Sequence, residues 1–204
     1  MISRIKLIVL FFVAGSIFSS CTKDSDVEYP TLKKVLLAED FGTSGSNNSI
    51  LPLPSGWTSY AEVGTKLWDV SIYSNDGYAK FTSFKTNEPI NVTWLISPAI
   101  NMDNKEGVQL TFQTCHDQFV TSSSNSLELY VSKDYDGINF ATSNWVKTTY
   151  TGTQIYPLTD KYVYVNSGFV DLSAYKGSLH FAFKYSGSSS LTGSYQVDNV
   201  RVFY

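Results

Sequence analysis

The chain has 204 residues, 15 Lys and Arg against 18 Asp and Glu, and a formal net charge of −3, with 15% aromatic residues. Its basic residues are scattered singly and form no stripe, which excludes a nucleic-acid surface. About 170 residues remain after an N-terminal targeting segment, the size of one sandwich domain with its own core, and the Tyr-, Phe-, Thr- and Ser-rich composition favours strands over helices.

Residues 1–20 read as an export signal: Arg4 and Lys6 form a positive start, and Leu7 to Ala14 form an apolar core too short for the ~20 residues of a spanning helix. Ile17-Phe18-Ser19-Ser20-Cys21 resembles a lipobox, with Phe18 in place of the usual Leu, so Cys21 is the expected lipidation site. Residues 21–34 then form the lipidated cysteine and a polar, flexible tether carrying Asp24, Asp26 and Glu28. These features predict a bacterial lipoprotein of the outer membrane, held there through its lipid anchor and facing the cell surface. With Cys21 acylated, Cys115 has no partner for a disulfide and is expected as a buried strand residue.

The domain is expected over 35–204. Short runs of β-branched and aromatic residues predict strands at 35–41, 67–72, 78–84, 93–97, 108–115, 126–132, 145–150, 162–171, 178–185 and 195–203. Leu127, Leu129 and Val131 alternate cleanly onto one face. Turn chemistry separates the runs at Asn75-Asp76-Gly77 and Asp136-Gly137, and residues 186–194 look too small and polar to pack. Many short strands without a helix predict an all-β fold.

Several segments in this order resemble a known family: Glu39-Asp40-Phe41, Ser55-Gly56-Trp57, Trp94-Leu95-Ile96-Ser97-Pro98, and the closing Tyr195-Gln196-Val197-Asp198-Asn199-Val200. They are similar to choice-of-anchor J and cleaved-adhesin domains, MAM-like jelly rolls of secreted bacterial proteins. The run from Ser126 to Trp145 resembles a lipoprotein branch known only as a domain of unknown function. The resemblance implies a two-sheet jelly-roll β-sandwich, an adhesive or accessory role without catalysis, and in some members a structural calcium.

In a jelly roll the first and last strands lie close, which nominates Glu39, Asp40, Asp198 and Asn199 as calcium ligands, with Asp117 at a strand end as a further candidate. His116 and His180 have no nucleophile or third group at triad spacing and are expected as structural residues. Aromatic rings on polar loops offer platforms for the CH faces of sugars, which nominates Tyr60, Tyr73, Tyr135, Trp145 and Tyr156; Trp68 and Trp94, inside strand-like runs, are expected in the core. The resulting expectation is a non-enzymatic module binding polysaccharide in nutrient capture. An adhesive module for a surface protein is the alternative, and a hydrolase using loop acids such as Asp134 and Asp136 ranks third.

Overall fold

The computed structural model describes residues 32–42, 44–116, 124–151 and 160–204. Lys33–Tyr204 is one compact unit. Its strands are β1 (Val35–Glu39), β2 (Ile50–Leu51), β3 (Thr58–Val63), β4 (Asp69–Tyr73), β5 (Asp76–Thr82), β6 (Asn91–Ile96), β7 (Ile100–Asn101), β8 (Gln109–His116), β9 (Ser126–Ser132), β10 (Val146–Thr148), β11 (Val165–Asn166), β12 (Val170–Asp171), β13 (Ser178–Gly187) and β14 (Ser194–Phe203). A single turn of 3-10 helix at Phe140–Thr142 is the only helical segment among the described residues.

Antiparallel pairing builds two sheets. The eight-stranded sheet runs β11-β8-β14-β5-β4-β2, with β1 added to β14 and β12 to β8; the six-stranded sheet runs β10-β9-β13-β6-β3, with β7 added to β13. This is the expected two-sheet jelly roll. Its core follows from the period of two: Leu127, Leu129 and Val131 of β9 and Phe181, Phe183 and Tyr185 of β13 meet Ala79 and Phe81 of β5 and Tyr195 and Val197 of β14 between the sheets.

β14 organises the larger sheet. It pairs with β8 along one side, and on the other with β5 over Ser194–Val197 and then with β1 over Val200–Phe203. The register shifts between Asp198 and Arg201, where Asn199 adopts a positive φ of 51°. This bulge lets one strand change neighbours, so the end of β1, the start of β5 and Asp198 meet there. Gly77 at the start of β5 is obligatory, because a Cβ would overlap the carbonyl oxygens of Phe41 and Gly42.

Three departures from the expected elements have physical causes. β3 lacks a continuous apolar run because it is a half-exposed edge strand. The stretch 162–171 is broken into β11 and β12, with Ser167 between them, whose N–H donates to the Phe112 carbonyl and whose hydroxyl accepts from the Phe112 N–H. Residues 186–194 do pack: the Tyr185 hydroxyl donates to Gly193 O at 2.7 Å, and the Ser83 hydroxyl donates to Ser188 O at 2.7 Å. Polar side chains suffice there because they are hydrogen-bonded inside.

Candidate functional site

The outer face of the six-stranded sheet is covered with aromatic rings. β6 is apolar on both faces: Leu95 enters the inter-sheet core, while Trp94 and Ile96 belong to a separate cluster with Tyr135 and Ala182. Trp94 is therefore buried as expected of a core residue, but in this second cluster on the outer side of the sheet. Tyr60 of β3 and Lys184 of β13 flank it in register, and Tyr130 of β9 lies one strand further.

The loop between β9 and β10 folds back over this face. Asp134 pins it by accepting from the Ser132 hydroxyl and the Asn144 N–H, which lowers its pKa. Asp136 accepts from the N–H groups of Asn139 and Ile138, bonds that hold its carboxyl down at about 2. Both acids serve the backbone of the loop that carries Phe140 and Trp145. Phe140 stacks on Tyr60 at 4.0 Å and 26°, and Trp145 stacks on Phe140 at 5.6 Å and 27°; Trp94 lies edge-on to Phe140 at 5.0 Å.

These rings line an open groove of about 420 Å³ with Glu62 and Lys184 at its polar side. Glu62 accepts from the Trp94 indole at 2.8 Å and pairs with the Lys184 ammonium at 3.2 Å. The ammonium also lies 4.9 Å from the Trp94 ring centre and 5.8 Å from that of Tyr130. Tyr130 donates to Glu128, which also pairs with Lys147. Burial, with Glu128 and Glu62 nearby, pushes the Tyr130 hydroxyl up to about 12 and keeps it a donor. The Trp145 Nε1 is a buried donor with no partner among the described residues. The groove thus offers ring faces, a carboxylate and an ammonium with its charges already balanced.

Of the predicted ligand-binding aromatics, the structure brings Tyr60 and Trp145 together in this groove. Tyr135 lies a layer below, buried between Trp145 and His180. Tyr73 stands on the other sheet, at the end of β4. Tyr156, Asp117 and Cys21 lie outside the described residues. Sequence reasoning missed Glu62, Tyr130, Phe140 and Lys184. A signal was present in Trp94-Leu95-Ile96, since a strand apolar at consecutive positions is covered on both faces.

Of the predicted calcium ligands within the described residues, Asp40, Asp198 and Asn199 come near the β14 bulge, whereas Glu39 is turned away from them. Glu39 accepts from the Phe41 N–H at 2.8 Å and the Trp57 indole at 3.2 Å, which directs it toward the core. Asp40 accepts from the Gly42 N–H, and the Asn199 amide donates to Gln113 and Asp198. Asp198 is only 2% exposed. Burial pushes its carboxyl up to about 7 against the Asn199 N–H bond that lowers it, with Asp76 and Asp40 adding repulsion. Among the described residues no three acids, histidines or cysteines are grouped to hold a metal ion, and no step below is routed through one. His180 bonds the Ser97 carbonyl through Nδ1 at 2.8 Å, and Cys115 is a buried thiol, not in a disulfide, donating to Gln196.

No curated protein matches the chain. Among solved structures it is similar to the K1 cleaved adhesin domain of Lys-gingipain from Porphyromonas gingivalis, at 22% identity over 81% of this chain and 96% of that one, with a TM-score of 0.53. The K3 cleaved adhesin domain of the same protein gives 18% identity, coverage of 84% and 100%, and a TM-score of 0.53. A xylan-binding domain from Paenibacillus barcinonensis gives 18% identity, coverage of 84% and 94%, and a TM-score of 0.46. The gingipain likenesses carry the fold alone. A family model matches residues 69–203, from the first residue of β4 to the last of β14, and the chain belongs to that family, described as "Domain of unknown function (DUF5017)".

Proposed function

We propose that this protein is a non-catalytic surface module that binds an uncharged polysaccharide along the aromatic groove of the six-stranded sheet. The observation that carries the reading is the ring series Tyr60, Phe140 and Trp145 standing beside a Glu62–Lys184 pair. Sugar rings pack their CH faces on such rings, and their hydroxyls exchange hydrogen bonds with carboxylate and ammonium groups. Pairing of Glu62 with Lys184 and of Glu128 with Lys147 leaves no uncompensated charge in the groove for an ionic ligand. The lipid at Cys21 holds the domain to the outer membrane, where it captures glycan for uptake; metabolic palmitate labelling that is lost in Cys21→Ser tests the anchor.

A second reading, an adhesive module for a surface protein, draws on Val165 of β11 with Val163 and Phe169, all exposed beside the end of the eight-stranded sheet. A glycan array probed with Lys33–Tyr204 separates the two. Binding to one class of neutral polysaccharide that disappears in a Tyr60→Ala/Trp145→Ala variant supports the first. A blank array from folded protein that retains an outer-membrane protein in pull-down replaces it with the second.

A further inference from the structure

The opposite face of the sandwich holds a second cleft, of about 530 Å³, walled by Tyr73, Tyr78, Tyr162 and Tyr164. On β5, Tyr78 and Lys80 alternate with the buried Ala79 and Phe81, so they project from the outer side of the eight-stranded sheet, and Gln196 of β14 sits opposite Lys80. Gln196 forms the floor at 3% exposure. Its Oε1 accepts from the Tyr164 hydroxyl at 2.9 Å and the Cys115 thiol at 3.3 Å. With that oxygen occupied, the amide nitrogen is the end of the side chain left to donate to a ligand.

Two rings are held out over this floor. Tyr73 is 58% exposed and ends β4 at a turn whose central residues Ser74 and Asn75 have φ of 52° and 64°, the hairpin geometry that fixes the direction of both strands. Tyr162 is 62% exposed although its backbone φ is 60°, a conformation a bulky residue rarely adopts, and its N–H is locked to the His116 carbonyl at 2.8 Å. The fold thus keeps a strained residue whose ring contributes nothing to the core.

We infer that this cleft is a second binding site, for an uncharged sugar, on the sheet opposite the groove. Phenol rings supply packing for CH faces, while Gln196, Asn48, Asp76 and Lys80 supply donors and acceptors for hydroxyls. Lys80 faces Asp69 across the β4–β5 ladder, so its charge has a counterpart and an anion gains little there. The inference rests on the cleft's own residues and stands independently of the groove. Two sites on opposite faces let one domain hold two glycan strands, or one strand twice, with avidity set by their separation.

The test is fluorine NMR of the full chain carrying fluorotyrosine, in a detergent without sugar headgroups, titrated with neutral xylo-, gluco-, galacto- and manno-oligosaccharides. The resonances of Tyr73, Tyr78, Tyr162 and Tyr164 report the cleft, and those of Tyr60 and Tyr130 report the groove. We expect a sugar to move the cleft resonances in the parent and equally in Trp145→Ala. In Tyr73→Ala/Tyr162→Ala, whose replaced side chains are both exposed, the sugar concentration that half-shifts Tyr78 and Tyr164 rises about tenfold, the loss of affinity expected for two aromatic packing partners. Shifts confined to Tyr60 and Tyr130 overturn the second site and leave the groove standing. Shifts confined to the cleft do the reverse, and a spectrum unmoved by every sugar overturns both.

Discussion

Lys184 and Glu62 form a 3.2 Å ion pair that reaches from β13 to β3 across the Trp94 of the intervening β6. Both partners are partly exposed, so their mutual attraction stabilises the fold little, and the pair matters for what it does to the groove. It covers the indole edge and fixes two polar groups beside the stacked rings.

Glu62→Leu therefore removes the acceptor of the Trp94 Nε1 and frees the Lys184 ammonium. We expect about a tenfold loss of glycan affinity with a drop of about 1–2 kcal/mol in unfolding free energy. Glu62→Gln keeps an oxygen for the indole and recovers most of the stability. Urea unfolding and calorimetric titration separate the two effects.

The two tryptophans of the groove respond differently to loss of the indole nitrogen. Trp94 donates to Glu62 at 2.8 Å, whereas the Trp145 nitrogen is buried without a partner among the described residues. Trp94→Phe should cost about 2 kcal/mol, while Trp145→Phe stays within about 1 kcal/mol of the parent because relief of an unsatisfied donor offsets the lost area. Chemical denaturation of the two variants side by side checks the difference.

Asp198 makes stability depend on pH. Its folded carboxyl titrates at about 7, above its ordinary value of 3.8, so the folded state binds this proton more tightly than the unfolded chain does. The contribution is complete below about pH 4 and is lost as pH rises through about 7. In a chelating buffer, stability should fall between about pH 4 and 7 by on the order of 1–2 kcal/mol after solvent screening, and Asp198→Asn should flatten that slope. A slope equally steep in the variant would assign the dependence to another group.

Gly77→Ala places a methyl against the Phe41 and Gly42 carbonyls. The end of β1 must then move away from β5, at a cost of about 3 kcal/mol or more. Gly107→Ala is the control: a Cβ there meets open space, and only its positive φ of 62° opposes the change. Thermal melts of the pair test whether close approach, rather than loss of glycine freedom, governs the junction.

Long, alternating strands such as β9 and β13 were legible because a single strand's pattern states which face is buried. β3 was not, since its Thr58-Ser59-Tyr60 start has no apolar alternation and its strand character comes from pairing with β6. The same limit governed the groove. Tyr60 and Trp145 could be nominated from their polar neighbours, but Tyr130, Phe140 and Lys184 become site residues only when four strands and a loop are set side by side. Tyr135 shows the converse, because a polar-looking loop that folds onto a sheet buries one of its rings. Asp198 and Asn199 were singled out for a cation, and pairing instead places them where β14 exchanges one neighbour for another.

The union of β1 with β14 also has a mechanical meaning. Lys34 and Tyr204 exchange both backbone hydrogen bonds, at 2.9 and 3.0 Å, just before Val35 pairs with Phe203. A pull along β1 from its N-terminal side loads these bonds sideways and together. The domain would then yield by shear of a whole ladder rather than by peeling one rung at a time.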